Sequence, residues 1–293
     1  MKWPWALGVV LATAVLVPVA VRLLDLRSTS LPSVYDADVE RHEAEVARSA
    51  PPPLVTEAEL APLPPLVQTY LRRVGVVGKP HVRGFHAVFA AQFRRAPDAP
   101  WMAASVDQHN FFVGPAPARL FFMRASQWGI PFAGLHRYVG DAATMQVRIA
   151  GLFEIVNASG SEMTQGETVT LFNDICILAP AVLVDAPVRW QTVDDRQVKG
   201  TYTNAGKTIS AVLTFDDAGD LVGFESEDRY QSDGKTHKLV PWSTPLRNYR
   251  DFGGVRLAAE GDAYWREPDG EWPYGRFVLE RITYNEGVAG GGR

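Results

Sequence analysis

Asp107 and His109 stand two residues apart in a run from Trp101 to Phe112 that reads as a strand, so both side chains fall on one face. A carboxylate beside an imidazole can orient the ring, which is the basis of general-base chemistry. No Ser or Cys nucleophile signature accompanies the pair, and a surface pair is the simpler reading. Asp194-Asp195 and the Glu225/Glu227/Asp228 group offer paired carboxylates of the kind glycoside hydrolysis uses. Their settings favour other roles. Arg196 follows the first pair in a turn-like stretch, and Glu225 and Glu227 share a polar strand face. The six histidines, at 42, 81, 86, 109, 136 and 237, show no HExxH or HxH spacing. No glycine-rich phosphate loop opens a helix: Asp251-Phe252-Gly253-Gly254-Val255 enters a strand. The sequence therefore predicts no metal site and no cofactor.

A denser group lies towards the carboxy terminus: Arg229, Tyr230, Trp242, Arg247, Tyr249, Arg250, Trp265, Trp272 and Tyr274. Rings and arginines at this density are either core side chains with surface charges, or the walls of an amphipathic pocket. In the pocket, rings hold an apolar body and an arginine grips an anionic head. On that reading the pocket residues are Arg229, Tyr230, Trp242, Tyr249, Arg250 and Trp265. The single cysteine, Cys176, sits in the apolar run Ile175-Cys176-Ile177-Leu178. One thiol excludes an internal disulfide and a Cys-based zinc or iron–sulfur site, and its setting predicts a buried, inert side chain.

These residues need a scaffold, and the stretch from Val188 to Tyr284 supplies its pattern. Val198 to Thr203 and Lys207 to Phe215 flank Asn204-Ala205-Gly206, a hairpin signal. In the second run Ile209, Ala211, Leu213 and Phe215 alternate with polar residues. Asp216-Asp217-Ala218-Gly219 turns the chain into a further run, Asp220 to Tyr230, in which Asp228 and Tyr230 share the face of Phe224. A face that turns polar belongs either to a strand leaving the core or to one lining a cavity. Val255 to Trp265 and Tyr274 to Tyr284 follow, parted by Arg266-Glu267-Pro268-Asp269-Gly270. The pattern is an antiparallel meander.

Upstream, Leu63, Leu66, Val67, Tyr70, Leu71 and Val74 recur with helical spacing and end at Gly75, which predicts a core helix against the sheet. Phe85 to Phe93, Trp101 to Phe112, Ala118 to Arg124 and Met145 to Val156 read as strands. A loop is expected around Trp128, His136 and Tyr138. Glu167 to Phe172 reads as a short strand, and Asn173 as the cap of a short helix through Leu178. Before the domain, Ser33 to Arg48 reads as a solvated helix starting with a Ser33/Asp36 capping spacing, and Ala50-Pro51-Pro52-Pro53 as a stiff spacer. Trp3 to Val21 is apolar and just long enough to cross a bilayer, with Trp3 and Trp5 at the headgroup level. An uncleaved single-pass anchor is preferred over a signal peptide. The resulting division is an anchor over 1–27, a juxtamembrane helix and linker over 28–54, one β-rich domain over 55–286, and a disordered tail over 287–293.

The chain has 293 residues, 46% of them hydrophobic, and a formal net charge of −4. It can bury a sizeable core, and without a basic excess nucleic acid is not its expected partner.

The ordered series Trp190, Val193-Asp194-Asp195-Arg196, Asp228-Arg229-Tyr230, Trp242, Tyr249-Arg250, Gly253-Gly254-Val255-Arg256, Trp265 and Ile282-Thr283-Tyr284-Asn285 resembles a bacterial domain family of unknown function. The resemblance covers roughly Leu60 to Asn285. Many relatives carry an Arg-and-Glu-containing helix where this chain reads Phe172-Asn173-Asp174-Ile175-Cys176. The family's pattern of one helix against a curved sheet is similar to the periplasmic lipoprotein-carrier fold, an open half-barrel that holds acyl chains. What the resemblance implies is an α+β domain with a curved antiparallel sheet packed on one or more helices. The resulting expectation is a membrane-anchored, non-enzymatic binding module for a lipid or amphipathic molecule, with its domain extracytoplasmic. The alternatives are a hydrolase using Asp107/His109 or paired carboxylates, and an interaction domain without a ligand.

Overall fold

The computed structural model describes residues 27, 29–232 and 236–286. The expected anchor and carboxy-terminal tail lie almost wholly outside them. Among the described residues no helix is long and apolar enough to cross a membrane.

Helix α1 (Leu31–Arg48) comes first, and α2 (Pro65–Val74) follows a single turn at Glu57–Leu60. Six strands then run up and down: β1 (Gly84–Phe93), β2 (Met102–Phe111), β3 (Ala118–Gln127), β4 (Ile130–Val139), β5 (Ala142–Ile149) and β6 (Phe153–Ala158). Helix α3 (Ser161–Ile177) and a 3-10 turn (Pro180–Val184) lead to β7 (Val188–Thr192), β8 (Gln197–Asn204), β9 (Lys207–Phe215) and β10 (Leu221–Ser226). A small hairpin, β11 (Tyr230–Ser232) and β12 (His237–Leu239), precedes β13 (Trp242–Asp251), β14 (Arg256–Glu267) and β15 (Gly270–Tyr284).

All but the small hairpin join one thirteen-stranded antiparallel sheet, in the order β6-β5-β4-β3-β2-β1-β15-β14-β13-β10-β9-β8-β7. Its first and last long strands, β1 and β15, pair in the middle, so the two halves of the chain are sutured there. Helix α3 touches β5 on one flank and β8, β9 and β10 on the other, which sets the curvature of the sheet around it. The expected curved antiparallel sheet with helices is present.

Several local features match their sequence patterns. Val67, Tyr70, Leu71 and Val74 of α2 are buried, and Gly75 closes the helix at φ 83°. Strand β9 has the expected bounds and alternating burial. In its hairpin the positive φ angles fall on Ala205 and Gly206, while Asn204 ends β8 and donates to the Tyr138 hydroxyl at 2.8 Å. The Phe224 strand leaves the sheet at Ser226, and Asp228 then accepts from the backbone N–H of Ser210 at 2.7 Å.

Others differ. The expected loop around His136 is strand β4, and the run from Met145 to Val156 splits at Ala150-Gly151 into β5 and β6. Pro131, Gly134 and a mixture of polar and apolar residues hide the period of 2 in β4. The Glu167–Phe172 stretch is not a strand, and Asn173 caps nothing. Both lie inside α3, where thirteen of seventeen residues are buried, among them Thr164, Glu167, Thr168, Thr170, Asn173 and Asp174. A helix buried on all sides has no apolar stripe to read, and β-branched Thr168, Val169 and Thr170 imitate a strand.

Helix α1 is not solvated. Leu31, Tyr35, Asp38, His42 and Val46 form its buried stripe, and Leu31, Tyr35 and Val46 pack with Phe111, Leu120, Phe122 and Leu135 on the convex face of the sheet. Two members of the stripe are polar, which conceals it: Asp38 is paired with Arg41 and Arg137, and His42 stacks on Phe111 at 5.2 Å. Its N-cap is Ser30, whose hydroxyl accepts from the Ser33 N–H at 3.2 Å, not Ser33 itself. The prolines after α1 run along the domain, with Pro53 accepting from the His81 N–H at 2.9 Å.

Candidate functional site

The concave face of the sheet is filled over much of its area by α3. Phe172 stacks on Tyr202 at 5.2 Å and lies edge-on to Phe224 at 5.7 Å. A Cβ at Gly200 would come within 2.8 Å of the Phe172 ring, so this close approach of helix and strand requires glycine.

Along its flank facing β2, β3 and β4, α3 carries charge instead of apolar bulk. Gln108 Nε2, Asn110 Nδ2 and Arg119 Nε all donate to Asp174 Oδ2, at 2.7, 3.0 and 2.6 Å. Arg119 Nη1 donates to Glu167 Oε2 at 2.9 Å, and His136 Nδ1 lies 3.2 Å from Glu167 Oε1. Arg229 reaches the same oxygen at 3.8 Å and donates from Nε to the Thr170 hydroxyl at 3.1 Å. Burial works to raise the Glu167 pKa, but Arg119, His136 and Arg229 outweigh it and hold the carboxyl at about 2. For Asp174 burial prevails and its pKa is raised, with Arg119 and the Asn110 hydrogen bond opposing.

The aromatic set meets this cluster at Arg229. Its guanidinium lies 4.7 Å from the Trp242 ring centre and 5.0 Å from that of Trp265, which are cross-strand partners. Tyr274 completes the group, stacking on Trp265 at 5.0 Å and accepting from the Trp242 indole N–H at 2.9 Å. Of the six pocket residues expected from the sequence, the fold brings together Arg229, Trp242 and Trp265. Tyr230 opens β11, and its backbone passes 3.4 Å from where a Cβ on Gly166 would stand. Tyr249 lies elsewhere, donating to the Leu221 carbonyl at 2.7 Å beneath the guanidinium of Arg256. Arg250 is exposed on β13.

From the cluster a half-buried row of rings continues along the same face: His136 to Phe121 at 5.7 Å, Phe121 to Phe277 at 6.5 Å, and Phe277 to Phe93 at 5.4 Å. Sequence reasoning missed Arg119, Glu167, Asp174, His136, Phe121 and Phe277. The only signal for Glu167 and Asp174 was a run of polar residues between Gly160 and Cys176 that no surface pattern explains.

The hydrolase candidates do not join this site. Asp107 and His109 face the convex side, under α1. The Asp107 carboxylate accepts from His86 Nε2 at 2.6 Å, and His109 Nδ1 shares a 2.7 Å hydrogen bond with the Tyr35 hydroxyl. Glu225 pairs with Arg266 at 3.1 Å on the surface, while Asp194 and Asp195 are exposed in the β7–β8 turn.

A model of the family described as "Family of unknown function (DUF6544)" matches residues 53–277. The chain belongs to that family. No curated protein matches it. The solved structures that the chain is similar to include the following three proteins, each at 12% identity. A domain from Vibrio parahaemolyticus, described as an "outer membrane lipoprotein-sorting protein domain", has a TM-score of 0.39 and aligns over 71% of this chain and 87% of its own. A DUF1329 family protein from Desulfovibrio piger has 0.40, over 76% and 93%. A LolA superfamily protein from Nitrosomonas europaea has 0.38, over 69% and 86%. At that level of likeness, a function for this chain rests on its own residues.

Proposed function

We propose that this domain is a membrane-anchored binding module for a lipid or other amphipathic molecule. The observation that carries the reading is the half-buried ring row on the concave face, Phe93, Phe277 and Phe121, leading to the ionic cluster at His136 and Glu167. The apolar body lies along the rings, where area removed from water contributes about 25 cal/mol per Å². The polar head meets His136 at the mouth of the cluster, because Arg119 and Arg229 are already engaged by carboxylates and rings. Native mass spectrometry with lipid extraction, on the full chain purified from cells in mild detergent, tests this. A co-purifying lipid that is lost in Phe121→Glu and Phe277→Glu is the expected result. A mass free of ligand and unchanged by added phospholipid or fatty acid sinks the reading.

Two observations support a membrane-facing end. The β3–β4 and β5–β6 hairpin tips lie at the same end of the sheet, because Phe132 pairs with Ile149. They expose Trp128 (88%), Ile130, Leu152 and Phe153 (66%). The chain also enters the domain there, with Thr29 accepting from Arg148 of β5 at 2.9 Å. Trp and Phe side chains favour the bilayer interface. With the full chain in vesicles of brominated phospholipid, Trp128→Phe should remove a quenchable part of the tryptophan emission. Equal quenching in both proteins excludes this orientation.

A further inference from the structure

On the convex face, the amino-terminal half of α1 and strands β4, β5 and β6 border an open cleft of about 410 Å³, within the range of small-molecule sites. Val34 and Ala37 of α1 give it an apolar side, and most of its remaining lining is polar. Strand register sets the polar groups next to one another. Arg137 of β4 is the cross-strand partner of Thr144 of β5, and Gln146 of β5 is that of Asn157 of β6.

The contacts around the cleft leave a defined set of groups open. Arg137 donates from Nε and Nη2 to Asp38, which Arg41 also meets, so these charges are compensated within the protein. Glu154 accepts from Asn157 Nδ2 at 2.9 Å and from Gln146 Nε2 at 3.4 Å, which turns both amide nitrogens towards it. Among the described residues, no hydrogen bond engages Gln146 Oε1, Asn157 Oδ1, the Thr144 hydroxyl or Arg137 Nη1.

We propose that this cleft binds one or two sugar units of an uncharged carbohydrate. Two amide oxygens need donors, Arg137 Nη1 needs an acceptor, and the Thr144 hydroxyl serves as either. Sugar hydroxyls both donate and accept, and the C–H groups of the ring suit Val34 and Ala37. A phosphate or carboxylate only accepts, so its oxygens would face those of Gln146 and Asn157 and the carboxylates of Asp38 and Glu154. A cation finds Asp38 already paired. Arg148, two residues beyond Gln146 on the same face of β5, donates to the Thr29 carbonyl at 2.9 Å where the chain enters the domain. With that end at the membrane, the sugar head group of a glycolipid reaches the cleft as well as a free saccharide does. No residue of the concave ring row takes part, so the site stands whether or not a lipid lies there.

Saturation-transfer NMR tests the site, with the full chain held in a detergent that has no sugar head group. Maltose, cellobiose, lactose and N,N′-diacetylchitobiose are the probes. Saturation of the ring protons of at least one of them, undiminished by inorganic phosphate, is the expected result. Repeating the measurement in phosphatidylcholine nanodiscs containing digalactosyl diacylglycerol separates the two sources. A lipid-borne sugar displaces the free one, whereas a site for free saccharides alone retains it. Ala37→Trp, at an exposed position of α1, fills the cleft and should abolish the signal with an unchanged circular dichroism spectrum. Thr144→Val and Asn157→Ala should each weaken binding about threefold to tenfold, as loss of one hydrogen bond implies. Absence of saturation for all four sugars overturns the assignment. So does displacement of the sugar by phosphate, or binding by Ala37→Trp equal to that of the wild type.

Discussion

Arg119→Met should destabilise the domain by about 3–5 kcal/mol, measured as a lowered urea midpoint at unchanged m-value. Arg119 is 4% exposed, and it is the cation shared by Glu167 and Asp174, which are 1% and 5% exposed. Removing it leaves two carboxyl groups in a medium of low dielectric constant with Gln108, Asn110, His136 and the more distant Arg229 as their remaining partners. Methionine keeps most of the volume and much of the contact with the Phe121 ring, which lies 5.1 Å from the guanidinium. The loss is therefore electrostatic. The triple variant Arg119→Met, Glu167→Gln, Asp174→Asn should recover a large part of it, because no uncompensated charge remains. Equal stability of the single variant and the wild type would falsify the assignment of this network as a buried, obligatory ion pair.

Acidification should weaken the fold through Glu167. Its carboxyl is held at about 2 in the folded chain, against an unfolded value of about 4.3. A depressed folded pKa contributes stability that is complete above the unfolded value and is lost as pH falls towards 2. With about 1.4 kcal/mol per pKa unit, the loss attributable to Glu167 is about 3 kcal/mol. Asp174 acts in the opposite sense: burial raises its folded pKa, so taking up a proton there favours the folded chain and offsets part of the loss. Urea unfolding at pH 5 and at lower pH, in wild type and in Glu167→Gln, separates the two. The wild type should lose more stability across that range than the variant, and parallel profiles exclude the prediction.

Much of the sheet was legible because its strands are half-buried. Lys207–Phe215 alternates apolar and polar residues because one face meets the core and the other water. Helix α2 was legible for the same reason at a different period, its stripe ending at a glycine that adopts a left-handed conformation. Strand β4 and helix α3 were not. Strand β4 contributes Leu135 to the convex core under α1 and His136 to the concave cluster, so neither of its faces reads as uniformly polar. Helix α3 is enclosed over most of its length, and its carboxylates Glu167 and Asp174 are held by partners 31 to 66 positions away in sequence.

The candidate site divides along the same line. Arg229, Trp242 and Trp265 stand out in the sequence because large rings and arginine are conspicuous residue types. Their convergence follows from the antiparallel register of β13 and β14, which sets Trp242 opposite Trp265. That register also carries Tyr249 and Arg250 away from them, towards the other end of the pair.

By itself, the sequence determined the antiparallel meander, the core helix Pro65–Val74, the buried thiol of Cys176 and an apolar amino-terminal segment, all of which depend on short-range periodicity and composition. The tertiary structure decided which polar residues are buried and with whom. It set Glu167 and Asp174 against Arg119, laid α1 over the convex face, and placed His86 beside His109. The physical reason is that a buried charge is tolerated only where partners from other strands and helices compensate it, and that compensation is fixed by sheet order and not by neighbours along the chain.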